Sequence, residues 1–460
     1  MKLTARRAYL SPIVSGLAST IALSLSPAAC GGGEEAAPGD GTSDAAVDTF
    51  ETGTPIPRRD VGVDTGPEVD RGTPSDVYPA FPTATGLLHF GGGYVMKSPV
   101  INTVTYAGDR NADKFEAFGD QLGASEYWRA ITAEYGVGPA TSGPDHHVRL
   151  TAAAPSETSA SEVEKLVQSK LVDLVGSGWP APTVDSIYVV YLPAGTKLKL
   201  FGGSTACSQG VGGYHSTTAV AGIPVPYSVI PYCARPGTSE ADAMVSTASH
   251  ELGEAATDPQ VRSRSGWRGF DDPFMVWEVW NDFQNENGDA CEFYRDSFIV
   301  GPTEFPFAVQ RQWSNAAAKA GKDPCVPAQE DAYFSVVPVP LEDVTADMTF
   351  YGGTKGFKTK GIHVDVGATR DIELGFFSSA PTADWTLDVV PGNPLLSRYE
   401  DPAVSASFPY GNKGKNGNKT ILRLSVDAPP TTFKGGYILT ITSTGAGGTE
   451  HYFPLLVTSN

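Results

Sequence analysis

The chain is poor in basic residues. Its 460 residues include 33 Lys and Arg against 52 Asp and Glu, which gives a formal net charge of −19. A protein that binds a nucleic-acid backbone has to neutralise phosphates with Lys and Arg. Since nothing basic offsets the acidic excess here, the charge argues against nucleic acid as a partner.

Several catalytic motifs are also missing. The sequence has no G-x-S-x-G nucleophile turn, no phosphate-binding loop and no dinucleotide-binding fingerprint. The cysteines that follow residue 30 lack the C-x-x-C spacing of a zinc finger. The chemistry of this chain therefore has to come from other residues.

The N-terminus has no apolar run long enough for a membrane span. Residues 13–25 are mostly apolar but too few and too interrupted to cross a bilayer. A basic start precedes them, so residues 1–30 are predicted to be an export signal. Residues 27–30, Pro-Ala-Ala-Cys, resemble a bacterial lipoprotein cleavage site with Cys30 as the lipidated first mature residue. The alternative is ordinary cleavage before Cys30, which leaves a free thiol.

Residues 31–84 are predicted to be a disordered acidic spacer. They are rich in Gly, Pro and Thr, and they contain eleven acidic residues against three arginines. They show almost no apolar periodicity, and such a composition cannot bury enough apolar surface to fold. We expect an outer-membrane or cell-surface lipoprotein, or a form released outside the cell, whose membrane contact is the lipid anchor alone.

Four cysteines remain after Cys30, and an even number in an exported protein predicts two disulfides. Three pairings are available. We favour Cys207 with Cys233 and Cys291 with Cys325, because these pairs close the shorter loops.

The rest of the chain divides into two regions with different secondary-structure patterns. Residues 85–328 alternate strand and helix patterns, which predicts an α/β domain of catalytic type. Residues 331–460 contain short alternating strands between Gly- and Asn-rich turns, which predicts an all-β, immunoglobulin-like sandwich.

The chemistry is concentrated in residues 246–259, which read as the second half of a helix with the pattern H-E-x-x-E. Thr238 or Ser239 is the predicted cap of this helix, and its predicted core-facing stripe is Met244, Ala248, Leu252 and Ala255. His250 and Glu254 are four residues apart and therefore share one face, with Glu251 beside them. This pattern differs at one residue from the zinc-protease motif H-E-x-x-H. His250 and Glu254 are predicted zinc ligands, and Glu251 is the predicted general base that takes a proton from water activated by the metal.

A catalytic zinc site needs a third protein ligand, which this helix does not supply with good geometry. The candidates are His215, Asp289, Glu286 and Asp258, with His215 and Asp289 preferred. His250 and Glu254 could instead be a simple helical pair on a solvated face. The competing function is then a non-catalytic surface-binding or adhesion protein in which the polar cluster is structural.

Residues 85–295 resemble the Exordium or phosphate-induced-protein family of secreted plant proteins and their bacterial and fungal relatives. The resemblance rests on these ordered segments: His89-Phe-Gly-Gly-Gly, residues 99–106, Tyr127-Trp128, Gly213-Tyr-His215, Pro231-Tyr-Cys233, residues 249–259 and Glu286-Asn-Gly-Asp289-Ala-Cys291. It implies an exported protein with a zincin-like motif that acts at the cell wall or outside the cell. The lipoprotein-like signal, the acidic spacer and the C-terminal β region depart from the family, so a plant growth role is not carried over.

These observations together predict an exported, zinc-dependent, peptidase-like hydrolase. Its expected partner is an extracellular peptide, protein or cell-wall substrate.

Overall fold

The computed structural model describes residues 69–459, apart from 201–202, 209–210, 262, 283–284, 302, 351–352 and 432–434. The predicted signal segment, Cys30 and residues 31–68 of the predicted spacer lie outside the described residues. Among the helices that the structure describes, none has the length and apolar content that a membrane crossing requires.

The region before residue 331 mixes strands and helices. Its strands are β1 (Leu88–Phe90), β2 (Val100–Thr105), β3 (His147–Arg149), β4 (Glu157–Ser159), β5 (Ser186–Leu192), β6 (Lys197–Lys199), β7 (Tyr214–Val220), β8 (Ile223–Pro231), β9 (Trp267–Phe270), β10 (Phe298–Val300), β11 (Ala308–Gln310), β12 (Gln312–Trp313) and β13 (Cys325–Val326). Its helices are α1 (Ala112–Leu122), α2 (Glu126–Thr132), α3 (Ala160–Val172), α4 (Leu174–Ser177), α5 (Glu240–Thr257), α6 (Met275–Trp280), α7 (Asp289–Glu292) and α8 (Asn315–Lys319). Short 3-10 turns occupy Ala133–Tyr135, Pro144–His146 and Asp272–Phe274.

A five-stranded sheet organises this region, in the order β3-β2-β5-β8-β7. The first four strands are parallel, and β7 joins β8 as an antiparallel hairpin. The remaining strands form two-stranded pairs: β1 with β9, β4 with β6, β10 with β11, and β12 with β13.

Helices cover both faces of the five-stranded sheet. Alternate residues of β5, Ile187, Val189 and Tyr191, join a core with α1, α2 and α5. The residues between them, such as Val190, join a second core with α3. All seven residues of β5 are buried, as expected for a parallel strand covered on both sides. The layers place α5 directly against the sheet.

From residue 334 the chain is all β. Its strands are β14 (Phe334–Pro338), β15 (Glu342–Phe350), β16 (Gly353–His363), β17 (Thr369–Ser378), β18 (Trp385–Pro391), β19 (Val404–Ser407), β20 (Lys413–Gly414), β21 (Lys419–Val426), β22 (Tyr437–Thr444) and β23 (Glu450–Thr458). They form a four-stranded sheet, β14-β17-β21-β19, and a six-stranded sheet, β15-β16-β23-β22-β18-β20. Residues of both sheets share one hydrophobic core. The predicted order, a mixed α/β region followed by an all-β region, is confirmed.

Helix α6 joins the two regions through aromatic side chains. Trp277 and Trp280 are 3% and 1% exposed and belong to the same core as the β sheets. The indole N–H of Trp280 donates to Thr440 Oγ1 at 2.8 Å, and Asn393 Nδ2 donates to the Trp280 carbonyl at 2.7 Å. These two aromatic residues are therefore part of the hydrophobic core.

Residues 69–84, the end of the predicted spacer, run along the C-terminal sheets. The Arg71 carbonyl accepts a hydrogen bond from the Lys419 backbone, and Asn416 Nδ2 donates to the carbonyls of Ser75 and Val77. Phe81 lies against Gly375 in the four-stranded sheet. This segment is held mainly through its backbone, which explains why its composition gave no sign of the contact.

Candidate metal centre

Helix α5 presents His250, Glu251 and Glu254 on one face. The helix begins after Ser239, whose hydroxyl accepts a hydrogen bond from the Asp242 backbone N–H at 3.1 Å. The acidic residues of the first turn, Glu240 and Asp242, interact favourably with the positive end of the helix dipole. The cap at Ser239 therefore specifies where the helix begins.

This face of α5 is buried. Residues 243–257 are all buried, and the predicted core stripe, which includes Met244 and Leu252, packs on the sheet side. His250 is only 8% exposed and Glu254 only 2%. The alternative of a simple ion pair on a solvated face is therefore wrong.

A cavity of about 330 Å³ lies against this face of the helix. Its walls come from the start of β7, from α5, from the turn that leads into α7, and from β11. The titratable side chains that line it include His215, His250, Glu251, Glu254, Glu286 and Asp289. The structure thus brings the five predicted metal-ligand and general-base residues to one cavity, together with Glu286 from the wider candidate set.

Both disulfides form close to this cavity. Cys207 is bonded to Cys233, and together they flank the β7–β8 hairpin that carries His215. Cys291 lies in α7 and is bonded to Cys325. These are the pairs that the shorter-loop argument favours, and they tether two of the walls.

Two glycines let the loops approach α5 closely. A Cβ added at Gly213 would lie 2.8 Å from Glu251 Oε1. A Cβ added at Gly288 would lie 2.8 Å from both Glu254 Oε1 and His250 Nδ1. Separations under 3.0 Å are too short for a side-chain carbon, so only glycine fits without displacing the cluster.

Two sets of three side chains could each hold a metal ion. The first consists of His215, Glu251 and Glu254, all buried, and the second of His250, Glu254 and Asp289. Within each set the ligand atoms lie within 4.8 Å of one another. The sets share Glu254.

In the first set, His215 Nδ1 lies 3.5 Å from Glu251 Oε2 and 3.4 Å from Glu254 Oε2. In the second set, His250 Nε2 lies 3.2 Å from Glu254 Oε1 and 3.7 Å from Asp289 Oδ1. Ligand atoms of a tetrahedral zinc with bonds near 2.1 Å are about 3.4 Å apart. The spacing of both sets therefore fits a small divalent cation.

Gln310 fixes the tautomer of His250. Its amide N–H donates to the Gly288 carbonyl at 2.8 Å, so its oxygen faces His250 Nδ1 at 3.0 Å. An amide oxygen only accepts, so Nδ1 carries a proton and donates it. Nε2 faces the carboxylates of Glu254 and Asp289. Burial lowers the pKa of His250, but Glu254 and Glu251 raise it well above its ordinary value, so Nε2 is protonated in the metal-free site and a bound cation would take the place of that proton. This arrangement, an outer acceptor that orients a ligating imidazole, is the usual surrounding of a metal-bound histidine.

The carboxylates that line the cavity favour binding of additional positive charge, either protons or a cation. Burial lowers the pKa of His215, but the Glu286, Glu251 and Glu254 carboxylates outweigh it and raise the pKa well above its ordinary value. Burial also opposes ionisation of Glu254, yet His250 and His215 hold its pKa below the ordinary value.

The surrounding acids show the excess of negative charge. Burial, reinforced by Glu254, raises the pKa of Asp289 to about 6. Burial also raises the pKa of Glu292 to about 7, with repulsion from Asp289 and Glu254 adding to it and His250 opposing it. A metal cation or several bound protons would relieve this repulsion. The buried group of His215, Glu251 and Glu254 can thus hold a metal ion, whose identity the side chains do not decide.

The other two ligand candidates have different positions. Asp258 is fully buried, and its Oδ1 accepts a hydrogen bond from the Gly266 backbone at 2.7 Å, so it supports the loop after α5. It belongs to neither set. Glu286 Oε1 lies 3.5 Å from His215 Nε2, on the outer side of that ring.

Comparison with protein-family models matches none of them to this chain, and no curated protein matches it either. Among solved structures, the chain is similar to a GH5 xyloglucanase from Bacteroides ovatus, with 14% identity, a TM-score of 0.14, and coverage of 22% of this chain and 17% of the xyloglucanase. It is also similar to a lipoprotein from Bacteroides thetaiotaomicron, with 11% identity, a TM-score of 0.18, and coverage of 29% and 86%. OgpA from Akkermansia muciniphila, solved with an O-glycopeptide substrate, shows 9% identity, a TM-score of 0.18, and coverage of 80% and 94%. TM-scores this low assign neither a fold nor an activity.

Proposed function

We propose that this chain is an exported, zinc-dependent hydrolase that cleaves peptide bonds in an extracellular or cell-wall substrate. His250, Glu254 and Asp289 hold the ion, and Glu251 is the general base. The observation that carries the proposal is the orientation of His250. Its Nδ1–H is held by Gln310, while Nε2 faces two carboxylates across a cavity.

The chain's own groups then perform the proton transfers. A bound divalent cation supplies Lewis-acid activation of water and of the substrate carbonyl. Glu251 takes a proton from the attacking water as the oxygen–carbon bond forms. It returns that proton to the leaving nitrogen as the carbon–nitrogen bond breaks. Glu251 lines the cavity next to the second set, 4.0 Å from His250 Nε2, which suits this role.

The finer features of fold and location belong to the same proposal. The mixed α/β region is zincin-like and Exordium-like, and the C-terminal sheets form an immunoglobulin-like sandwich. Lipidation at Cys30 anchors the chain at the outer membrane or cell surface. The two disulfides support an oxidising location outside the cytoplasm.

A second candidate is a non-catalytic surface-binding or adhesion protein. One observation favours it: the cluster also holds the fold together. Asp289 Oδ2 accepts hydrogen bonds from the backbones of Asn285 and Glu286, and Glu254 Oε1 accepts one from the Asp289 backbone at 2.9 Å. A protonated cluster could keep these contacts without a metal.

Metal analysis of the purified full chain tests the choice. The proposal expects at least one zinc per chain and hydrolysis of fluorogenic peptides that a chelator abolishes. Glu251→Gln should keep the metal and lose about 10²–10⁴-fold in rate, because a general base contributes that much. His250→Ala should lose metal and activity together.

Glu304→Gln provides the matched control, since it makes the same chemical change at an exposed site away from the cavity. It should keep both metal and activity. A chain that binds no metal and shows no chelator-sensitive hydrolysis would sink the enzyme. Loss of stability in His250→Ala without any bound metal would favour the adhesion protein with a structural cluster.

A further inference from the structure

We propose that the cavity holds two metal ions, with Glu254 as the carboxylate that bridges them and His215, Glu251 and Glu254 as the second site. The inference rests on the proposed metal-dependent function and deepens it. It starts from the two oxygens of Glu254, which face in different directions. Oε1 lies near His250 and Oε2 lies near His215.

Each histidine belongs to its own ligand set. His215 is grouped with Glu251 and Glu254, His250 with Glu254 and Asp289, and Glu254 is the shared member. A single ion with bonds near 2.1 Å needs ligand atoms about 3.4 Å apart. The short separations in this cavity pair each histidine with carboxylates, so one centre per histidine fits the distances better than one centre for both.

The two nitrogens of His215 give a second reason. Its Nδ1 faces the Glu251 and Glu254 oxygens, and its Nε2 faces Glu286 Oε1 at 3.5 Å. Burial lowers the pKa of His215, but these carboxylates raise it well above its ordinary value, so in the metal-free site both nitrogens carry protons. His215 Nε2 and Glu286 Oε1 are buried and form no hydrogen bond with the residues that the structure describes. A cation at Nδ1 would replace one of the two protons and leave the Nε2 proton facing Glu286.

The surroundings of the two rings are alike in this arrangement. Gln310 lies behind His250, and Glu286 lies behind His215. In both cases the outer nitrogen meets a side-chain acceptor and the inner nitrogen meets two carboxylates, which is the pattern of a ligating histidine with its outer partner.

The second ion has a consequence for catalysis. A metal ion on Glu251 occupies the carboxylate that the proposed function uses as the proton acceptor. The form with one ion is therefore the active form, and filling of the second site inhibits it. This makes His215 the residue that sets sensitivity to excess metal.

The test uses the metal-stripped full chain titrated with Mn²⁺, followed by bound-metal analysis and electron paramagnetic resonance. Two equivalents should bind. The two ions should give an exchange-coupled signal, since bridged ions lie about 3.5–4 Å apart. Peptide hydrolysis should fall as the second equivalent binds. These measurements on the unaltered chain do not depend on whether any variant folds.

Variants then assign the sites. His215→Ala should bind one equivalent with an uncoupled signal. His147→Ala is the matched control, because His147 also contacts two acids, Glu116 and Asp120, but outside the cavity. It should bind two equivalents.

The outcomes separate the two proposals. One equivalent with hydrolysis overturns the second site and leaves the proposed function standing. No bound metal overturns both. Two coupled ions with full hydrolysis contradict the inhibitory role, because Glu251 cannot bind an ion and accept the proton at the same time.

Discussion

Replacing Gln310 by methionine should weaken metal binding although Gln310 is not a ligand. The amide oxygen accepts the Nδ1 proton of His250 at 3.0 Å, and the amide nitrogen donates to the Gly288 carbonyl at 2.8 Å. Methionine keeps the length and most of the volume of glutamine but makes neither hydrogen bond. The ring of His250 is then free to turn or to move its proton to the nitrogen that faces the carboxylates.

The structure sets the size of both effects. The substitution leaves one buried group without this partner, the His250 ring N–H, at about 1–3 kcal/mol, whereas the Gly288 carbonyl still accepts a hydrogen bond from the Cys291 backbone at 3.1 Å. The free energy of unfolding of the metal-free protein should therefore fall by about 1–3 kcal/mol. Loss of an outer partner of a ligating histidine costs about 10–100-fold in metal affinity. This range corresponds to about 1.4–2.8 kcal/mol of binding free energy.

Gln312→Met is the matched control. Gln312 is fully buried two residues further along and also contacts α5, but it donates to the backbone carbonyls of Ser249 at 2.7 Å and His250 at 3.3 Å and not to the His250 ring. Its oxygen accepts from Asn287 Nδ2 at 2.9 Å. Urea unfolding in the presence of a chelator should show similar losses of stability for the two variants.

Competition with a chromophoric zinc chelator should show the affinity loss for Gln310→Met alone. Equal affinity losses in both variants would mean that general loosening of the fold, not the orientation of His250, controls the metal. Unchanged affinity in Gln310→Met would refute the reasoning outright.

Three further predictions test other parts of the structure. Gly288→Ala should cost about 1–3 kcal/mol of stability and weaken metal binding, because its Cβ would overlap the cluster, whereas Gly447→Ala, where nothing lies within 4 Å of an added Cβ, should do neither. Burial, reinforced by a nearby arginine, lowers the pKa of His451 to about 3 from 6.5, so its contribution to stability is complete above pH 6.5 and is lost as the pH falls toward 3. At pH 4.5 the loss of unfolding free energy from this group is about 3 kcal/mol. Urea unfolding of His451→Phe at pH 7 and pH 4.5 should lack this loss, and a difference between the two pH values equal to that of the parent would contradict the prediction. The double variant Cys291→Ala, Cys325→Ala opens a loop with a sequence separation of 34. It should lower the unfolding free energy by about 4 kcal/mol in the chain-entropy account. The far-ultraviolet circular dichroism baselines of its unfolding curve should stay unchanged.

Local features of the fold were predictable because their signals lie close together in sequence. Helix α5 follows from the spacing of His250, Leu252 and Glu254 and from the cap at Ser239, and the structure has it at Glu240–Thr257. The order of α/β and all-β regions follows from periodicity in the same way. The burial of the polar face of α5 could not be predicted in this way. Polar residues on a helix indicate an exposed face, and here segments distant in sequence cover that face.

The site was only partly predictable because its walls are far apart in sequence. His215 and Asp289 could be named as ligand candidates from residue type and from nearby cysteines, but not assigned. Gln310 was missed: an amide is not a preferred zinc ligand, and its contact with His250 joins residues sixty positions apart. Alternation in the β11 segment offered no signal for it, because the consecutive residues Val309 and Gln310 are both buried.

The departure from H-E-x-x-H has a physical explanation in the position of Glu254. A histidine there could direct one nitrogen toward a metal while its other nitrogen needed an outer partner. A carboxylate presents two acceptor oxygens without an N–H, so Glu254 can face His250 with Oε1 and His215 with Oε2. A second imidazole lies nearby on β7, where Gly213 lets the strand that carries His215 lie close to α5. A glutamate at position 254 can therefore face two flanking histidines at once, so the difference from H-E-x-x-H is compatible with the proposed metal centre.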